Sequence, residues 1–131
     1  MNKPRAVVVE CDPVIGGMIC YFLELQDISC LYAATGQEGR ELIRSASPTM
    51  AIVDVGIRGG DAWELLKTIR SDKQTAHLPV VVLSLADDTA VSARVRSLGC
   101  ELLRKPFSYD ELNDQLRAAE SLVAGPTVSR Q

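Results

Sequence analysis

The chain has 131 residues, 47% of them hydrophobic and 24% charged, which fits one domain with a real core. Its 14 Lys and Arg stand against 17 Asp and Glu for a net charge of −3, and the cations are scattered, so nothing electrostatic points to direct nucleic-acid binding. No apolar stretch nears the ~20 residues a bilayer span needs, and Ala6–Val9 is too short for a signal-peptide core, which predicts a cytoplasmic protein without membrane contact.

Taken in chain order, Ala6-Val7-Val8-Val9 is an unbroken β-branched run that reads as a strand buried on both faces, as in a parallel sheet. Asp12-Pro13 follows as a helix cap with proline at the first helical position. Val14, Met18, Phe22 and Leu25 recur at helical spacing, with Ile15, Ile19 and Leu23 beside them. Residues 28–33 form a second short strand. Thr35-Gly36-Gln37-Glu38 has a capping-box pattern that opens a helix through Leu42, Ile43 and Ala46, and Ser47-Pro48 stops it. Residues 50–55 are a third strand carrying Asp54 near its end. Residues 56–60 form a loop with three glycines. Asp61 caps a helix with Leu65, Leu66 and Ile69. Residues 79–84 are the fourth strand and end at Ser84. Ala90, Val91, Val95 and Leu98 mark a fourth helix, which Gly99 terminates. Residues 101–104 are a short fifth strand, followed by Lys105-Pro106-Phe107. Asp110-Glu111 opens a last helix with Leu112, Leu116, Ala119 and Val123 on one face.

Five strand–helix units with short connections imply a parallel sheet with helices on both sides. The domain is expected over residues 1–124, with a short polar tail at 125–131. Cys20, Cys30 and Cys100 are expected to act as small buried hydrophobes. With no C-x-x-C pair and His77 as the single histidine, no zinc-type cluster follows from local spacing. Trp63 is expected to pack, His77 to be solvated in a loop, and Asp87-Asp88 to complement the dipole of the fourth helix.

In an open parallel sheet, sites form outside the carboxyl ends of the strands. Glu10-Cys11-Asp12, Asp54, Ser84 and Lys105 all stand there. Such a set suits phosphoryl transfer to a carboxylate. The acceptor must be an ionised oxygen that attacks in line, a divalent cation offsets its repulsion of the phosphoryl group, and a lysine supplies a point charge.

The blocks Val7-Val8-Val9-Glu10-Cys11-Asp12-Pro13, Ile52-Val53-Asp54-Val55, Val81-Val82-Leu83-Ser84 and Lys105-Pro106-Phe107 make the chain resemble the response-regulator receiver family over residues 5–124. The resemblance implies a flavodoxin-like doubly wound α/β fold, a five-stranded parallel sheet of order 2-1-3-4-5 with five helices. It implies Asp54 as phosphoacceptor, Lys105 as the phosphoryl-contacting lysine and Ser84 as the switch hydroxyl. Glu10, Asp54 and the Gly56 carbonyl would hold Mg2+. A histidine kinase or phosphotransfer protein would donate the phosphoryl group. The face made by the fourth helix, fifth strand and fifth helix would signal to a downstream protein, and pairing of two copies there is left open. The chain would then be a phosphoacceptor rather than an enzyme, with at most self-catalysed phosphorylation and dephosphorylation.

Several positions depart from the family. Cys11 stands where a metal-ligating aspartate is usual, and a thiol is a poor match for Mg2+. Asp12 is read either as a helix cap alone or as a substitute metal ligand. Arg58 replaces a common proline and Ala62 a common glycine. Leu85 follows the switch serine, where a small residue is usual, and Leu102 takes the place of the aromatic switch partner. These departures keep a second reading open, a pseudo-receiver that binds proteins independently of phosphorylation. Other enzymes on similar folds fit less well: a cysteine phosphatase needs an arginine where Gly17 stands, and a flavodoxin needs a phosphate loop that Asp12-Pro13-Val14-Ile15 does not supply.

Overall fold

The computed structural model describes residues 3–56, 61–85 and 89–124. The expected features at Arg58 and the rest of the glycine loop, at Asp87-Asp88 and in the 125–131 tail lie outside the described residues. Strands and helices alternate as β1 (Arg5–Val9), α1 (Pro13–Glu24), β2 (Ser29–Ala33), α2 (Gly36–Ala46), β3 (Met50–Asp54), α3 (Asp61–Ser71), β4 (Val80–Ser84), α4 (Thr89–Ser97), β5 (Glu101–Arg104) and α5 (Tyr109–Ala124). The strands pair in parallel in the order β2-β1-β3-β4-β5, the expected architecture, with boundaries within a residue or two of those read from the pattern.

The apolar strand runs are explained by two cores, one on each face of the sheet. Successive strand side chains point to opposite faces, so Val7, Val9, Ala51, Val53, Val80 and Val82 pack under α2, α3 and Val95 of α4. Ala6, Val8, Met50, Ile52, Val81, Leu83 and Leu103 pack under α1 and α5, against Ile19, Leu23, Leu112 and Leu116. Each fully buried Leu or Ile in these layers contributes about 1.5–3 kcal/mol. Gly39 lets α2 lie directly on β1, because a Cβ there would meet Val9 Cγ2 at 2.5 Å. Gly99, at φ +69°, turns the chain out of α4.

Local signals hold as capping interactions. Asp12 accepts a hydrogen bond from Val14 N at 2.9 Å. Thr35 accepts from Glu38 N at 3.1 Å, while Glu38 reaches back to accept from Ala34 N at 2.9 Å. Among the described residues no helix is long and apolar enough to cross a membrane.

Two cysteine expectations need correction. Cys20 and Cys30 are not free buried hydrophobes but are joined in a disulfide, with Cα atoms 5.4 Å apart. The reason is topological: α1 returns along the flank of β2, which brings the middle of the helix against the strand, a contact that residue spacing alone does not reveal. Cys100 is buried and free. Arg70 was not singled out from sequence, yet it organises the turn from α4 into β5. Its guanidinium donates to the carbonyls of Leu98 (2.7 Å), Leu78 (2.8 Å), Ala76 (3.1 Å) and Gly99 (3.1 Å). Trp63 is half-buried and packs against the α3-side core, with the Arg94 guanidinium 4.1 Å from its ring centroid.

Candidate functional site

The site follows from strand parity. Glu10 continues the alternation of Ala6 and Val8, Asp54 that of Met50 and Ile52, and Lys105 that of Leu103, so all three side chains fall on the α1/α5 face. Ser84 continues Val80 and Val82 and falls on the opposite face. So does Leu102, which is paired with Val82 and packs against the same core. Backbone hydrogen bonds hold the rim in register, from Glu10 N to Ala33 O, Val55 N to Leu83 O and Lys105 N to Ser84 O, each at 3.0 Å.

Glu10, Asp54 and Ser84 are buried, at 0%, 4% and 3% exposure, at the carboxyl ends of otherwise apolar β1, β3 and β4. Buried charges need partners, and Lys105 supplies one. Its Nζ lies 2.9 Å from Asp54 Oδ2 and 2.9 Å from Glu10 Oε1. The contact with Asp54 is a hydrogen bond. The contact with Glu10 is a charge contact outside hydrogen-bond geometry, so Oε1 is buried with no hydrogen-bond partner. The other oxygens are held by the backbone: Asp12 N donates to Glu10 Oε2 at 3.2 Å and Gly56 N to Asp54 Oδ1 at 2.8 Å. Tyr32 donates its hydroxyl to the Glu10 carbonyl at 2.5 Å, a contact the sequence did not suggest beyond placing a phenol in an apolar strand.

Burial raises the Glu10 pKa above its ordinary 4.5, and the neighbouring Asp54 adds to the rise against the opposing pull of Lys105. For Lys105, burial favours the neutral amine, but the hydrogen bond to Asp54 and the close negative charges of Asp54 and Glu10 outweigh it and hold the ammonium above its ordinary range.

The carboxylate of Asp12 sits on the α1 cap, while Cys11 Sγ is the third donor beside Glu10 and Asp54, the three ligand atoms lying within 4.8 Å of one another. Two oxygens of that set suit Mg2+, with Glu10 Oε1 ion-paired to Lys105 at 2.9 Å. The sulfur does not suit it. Leu85 is exposed at 78% and projects from the rim beside Ser84. A cavity of about 500 Å3 opens between α2 and α3, lined by Arg40, Arg44, Thr49, Leu78 and Pro79. It lies at the opposite end of the sheet and is lined by none of these buried charges.

A doubly wound sheet with two buried carboxylates, a lysine bridging them and a hydroxyl on the neighbouring strand end defines a receiver module. The chain belongs to the response regulator receiver domain family, which matches residues 6–117. It is 37% identical over 86 residues to the transcriptional regulatory protein HprR of Escherichia coli, covering 63% of this chain and 36% of that protein. It is 25% identical over 116 residues to the DNA-binding regulator RpaA of Synechocystis, covering 88% of this chain and 48% of that protein. The chain thus spans half or less of these curated relatives. Among solved structures it resembles the receiver domain of the Francisella response regulator 1452, with 30% identity, TM-score 0.78 and coverage of 89% of this chain and 96% of that one. The chemotaxis protein CheY4 of Vibrio cholerae shares its fold at TM-score 0.83 and 21% identity, covering 90% of this chain and 99% of that one. Receiver domains generally bind Mg2+ and interact with histidine kinases and phosphotransfer proteins.

Proposed function

We propose that this receiver takes a phosphoryl group on Asp54 from a histidine kinase or phosphotransfer protein in the cytoplasm. The observation that carries the reading is the Lys105 ammonium 2.9 Å from Asp54 Oδ2, with Asp54 almost wholly buried. A carboxylate oxygen of Asp54 attacks the phosphorus of a phosphohistidine. The new O–P bond forms as the P–N bond breaks, and the departing imidazole takes a proton from solvent. Lys105 follows the negative charge from the carboxylate to a phosphoryl oxygen, and Gly56 N–H steadies the other carboxylate oxygen. Glu10 and Asp54, with the Gly56 carbonyl, would hold a divalent cation. Such an ion supplies charge neutralisation between the acceptor and the incoming group.

Ser84 and Leu102 share the face opposite Asp54, against the core that carries Val91 and Leu98 around α4. A phosphoryl group that draws the Ser84 hydroxyl toward the rim would free space for Leu102 and shift the α4–β5–α5 face. A two-state element biased by a local charge event is the general form of such a switch. One observation favours the second reading, a phosphorylation-independent interaction module: the thiol of Cys11 occupies the third position of the metal pocket.

The test is incubation with acetyl phosphate, with and without Mg2+, followed by intact mass and hydroxylamine sensitivity, with Asp54→Asn as control. A base-labile adduct of one phosphoryl group, absent in the control, is the expected result. No adduct from acetyl phosphate or from a phosphorylated histidine protein under either condition would replace the phosphoacceptor reading with the interaction module.

A further inference from the structure

We propose that Cys20 and Cys30 form a reversible thiol–disulfide site whose oxidant is a small disulfide of the glutathione type. Oxidation locks the seam between α1 and β2 and, through Tyr32, the backbone of Glu10. The inference goes beyond the phosphoacceptor reading and does not depend on it.

The seam has two adjacent contacts. Gly16 and Cys20 stand one turn apart on α1, and Cys30 and Tyr32 stand two residues apart on one face of β2. At the rim end the Tyr32 ring lies against Gly16, where a Cβ would overlap it. One turn further along, the Cys20–Cys30 bond joins Cα atoms 5.4 Å apart. β2 is an edge strand paired with β1 alone, so the seam with α1 is its second anchor. Both backbone groups of Glu10 hang from that strand. Its N–H donates to the Ala33 carbonyl at 3.0 Å, and its carbonyl accepts from the Tyr32 hydroxyl at 2.5 Å.

The fold does not require the bond. Disulfide-dependent domains are those too small to build a sufficient core, whereas Ile19 and Leu23, both fully buried, already seat α1 on the sheet. As thiols, Cys20 and Cys30 remain small apolar groups packed against the same core. Access favours exchange as well: both are half-buried, while Cys100 is 4% exposed.

In the exchange, one cysteine thiolate attacks a sulfur of glutathione disulfide, whose S–S bond breaks to release a glutathione thiolate. The second cysteine thiolate attacks the protein sulfur of the mixed disulfide and releases the other glutathione. Two protein thiols are oxidised, one glutathione disulfide is reduced to two thiols, and the two protons pass through solvent to the departing sulfurs. A cross-link between residues 10 apart restricts opening of this segment by up to about 100-fold in the chain-entropy account.

The test equilibrates the intact chain at varied ratios of reduced to oxidised glutathione, without phosphodonor, followed by alkylation and peptide mapping. Cys20 and Cys30 should be protected from alkylation together, and reduced glutathione should reverse this. Hydrogen exchange then compares the oxidised chain with one reduced by a phosphine. The amides of Glu10 and of β2 should exchange about 10- to 100-fold faster in the reduced chain, with those of β4 unchanged. Cys20→Ala should match the reduced parent in both buffers, and if it fails to fold the parent comparison alone decides. The inference is overturned by a pair that does not form in oxidised glutathione, by one that reduced glutathione cannot open in the folded chain, or by equal Glu10 exchange in the two forms. None of these readouts uses Asp54 labelling. Their failure leaves the phosphoacceptor reading intact, and a chain that no donor phosphorylates leaves this inference standing.

Discussion

Replacing Lys105 with methionine removes the ammonium that both buried carboxylates share at 2.9 Å and leaves the stem volume nearly unchanged. Glu10 and Asp54 then face one another within 4.8 Å with no counter-charge. At an effective dielectric of ~20 their repulsion is about 3.5 kcal/mol, and losing one partner of a buried pair costs about 3–5 kcal/mol. Protonation sets a ceiling. Glu10 already titrates above 4.5 because of burial, and without Lys105 it is the group that accepts a proton. Carrying it as the acid at pH 7 costs about 3.4 kcal/mol, at about 1.4 kcal/mol per pH unit above its unfolded value. The sign follows from linkage: a carboxyl whose folded pKa is raised binds more protons folded than unfolded, so its stabilising contribution is full below 4.5 and is lost as pH rises through the folded value. Lys105→Met should therefore cost about 3 kcal/mol at pH 7 and much less at pH 4.5. Urea unfolding followed by circular dichroism, in chelator, measures both. Glu10→Gln in the same background should recover most of the loss at pH 7. A cost that is the same at both pH values, or a double variant no more stable than Lys105→Met, refutes the shared-ammonium account.

Three smaller perturbations test other parts of the structure. Arg70→Lys keeps the charge but loses the planar fork that reaches four carbonyls, and should lower the urea midpoint by an amount worth about 1.5–3 kcal/mol. Gly39→Ala drives a methyl to 2.5 Å from Val9 Cγ2 and should destabilise by about 1–3 kcal/mol through overpacking, read as a fall in the thermal midpoint. Asp12→Ala removes the α1 cap and should lower the thermal midpoint by an amount worth about 1 kcal/mol.

The fold was legible because each local signal agreed with the next. Ala6–Val9 and Val80–Leu83 have no polar face, and only a sheet covered on both sides buries such strands. The cap at Asp12, the capping box at Thr35 and the helix end at Gly99 then fix where the chain turns. The buried site residues were legible because Glu10, Asp54 and Ser84 interrupt apolar strands at their carboxyl ends. Their grouping was available too: counting parity along each strand puts Glu10, Asp54 and Lys105 on one face and Ser84 with Leu102 on the other. What stayed hidden depends on approach between distant elements. The Cys20–Cys30 bond requires the seating of α1 on β2. The four carbonyls of Arg70 come from segments that share no pattern with α3. The choice between capping and ligation at Asp12 turns on one rotamer, which directs the carboxylate to Val14 N and leaves the pocket to Cys11.

Cys11 has a consequence for metal-free chemistry opposite to its consequence with metal. An aspartate at this position would add a third carboxylate beside Glu10 and Asp54, against the single ammonium of Lys105. An incoming phosphodonor is anionic, and one further unit charge about 6 Å away raises its energy by about 0.7–2.8 kcal/mol for effective dielectrics between 80 and 20. On the phosphoacceptor reading, Cys11→Asp should therefore slow labelling of Asp54 by acetyl phosphate about 3- to 100-fold in chelator. With Mg2+ the same aspartate supplies the missing hard ligand, and the variant should label faster than the parent chain. The expected result is a crossing of the two rates as Mg2+ is added, followed by intact mass at fixed times. If the variant is faster in chelator as well, the thiol does not relieve charge in the pocket. If it is slower at every Mg2+ concentration, the third donor is not a ligand of the ion.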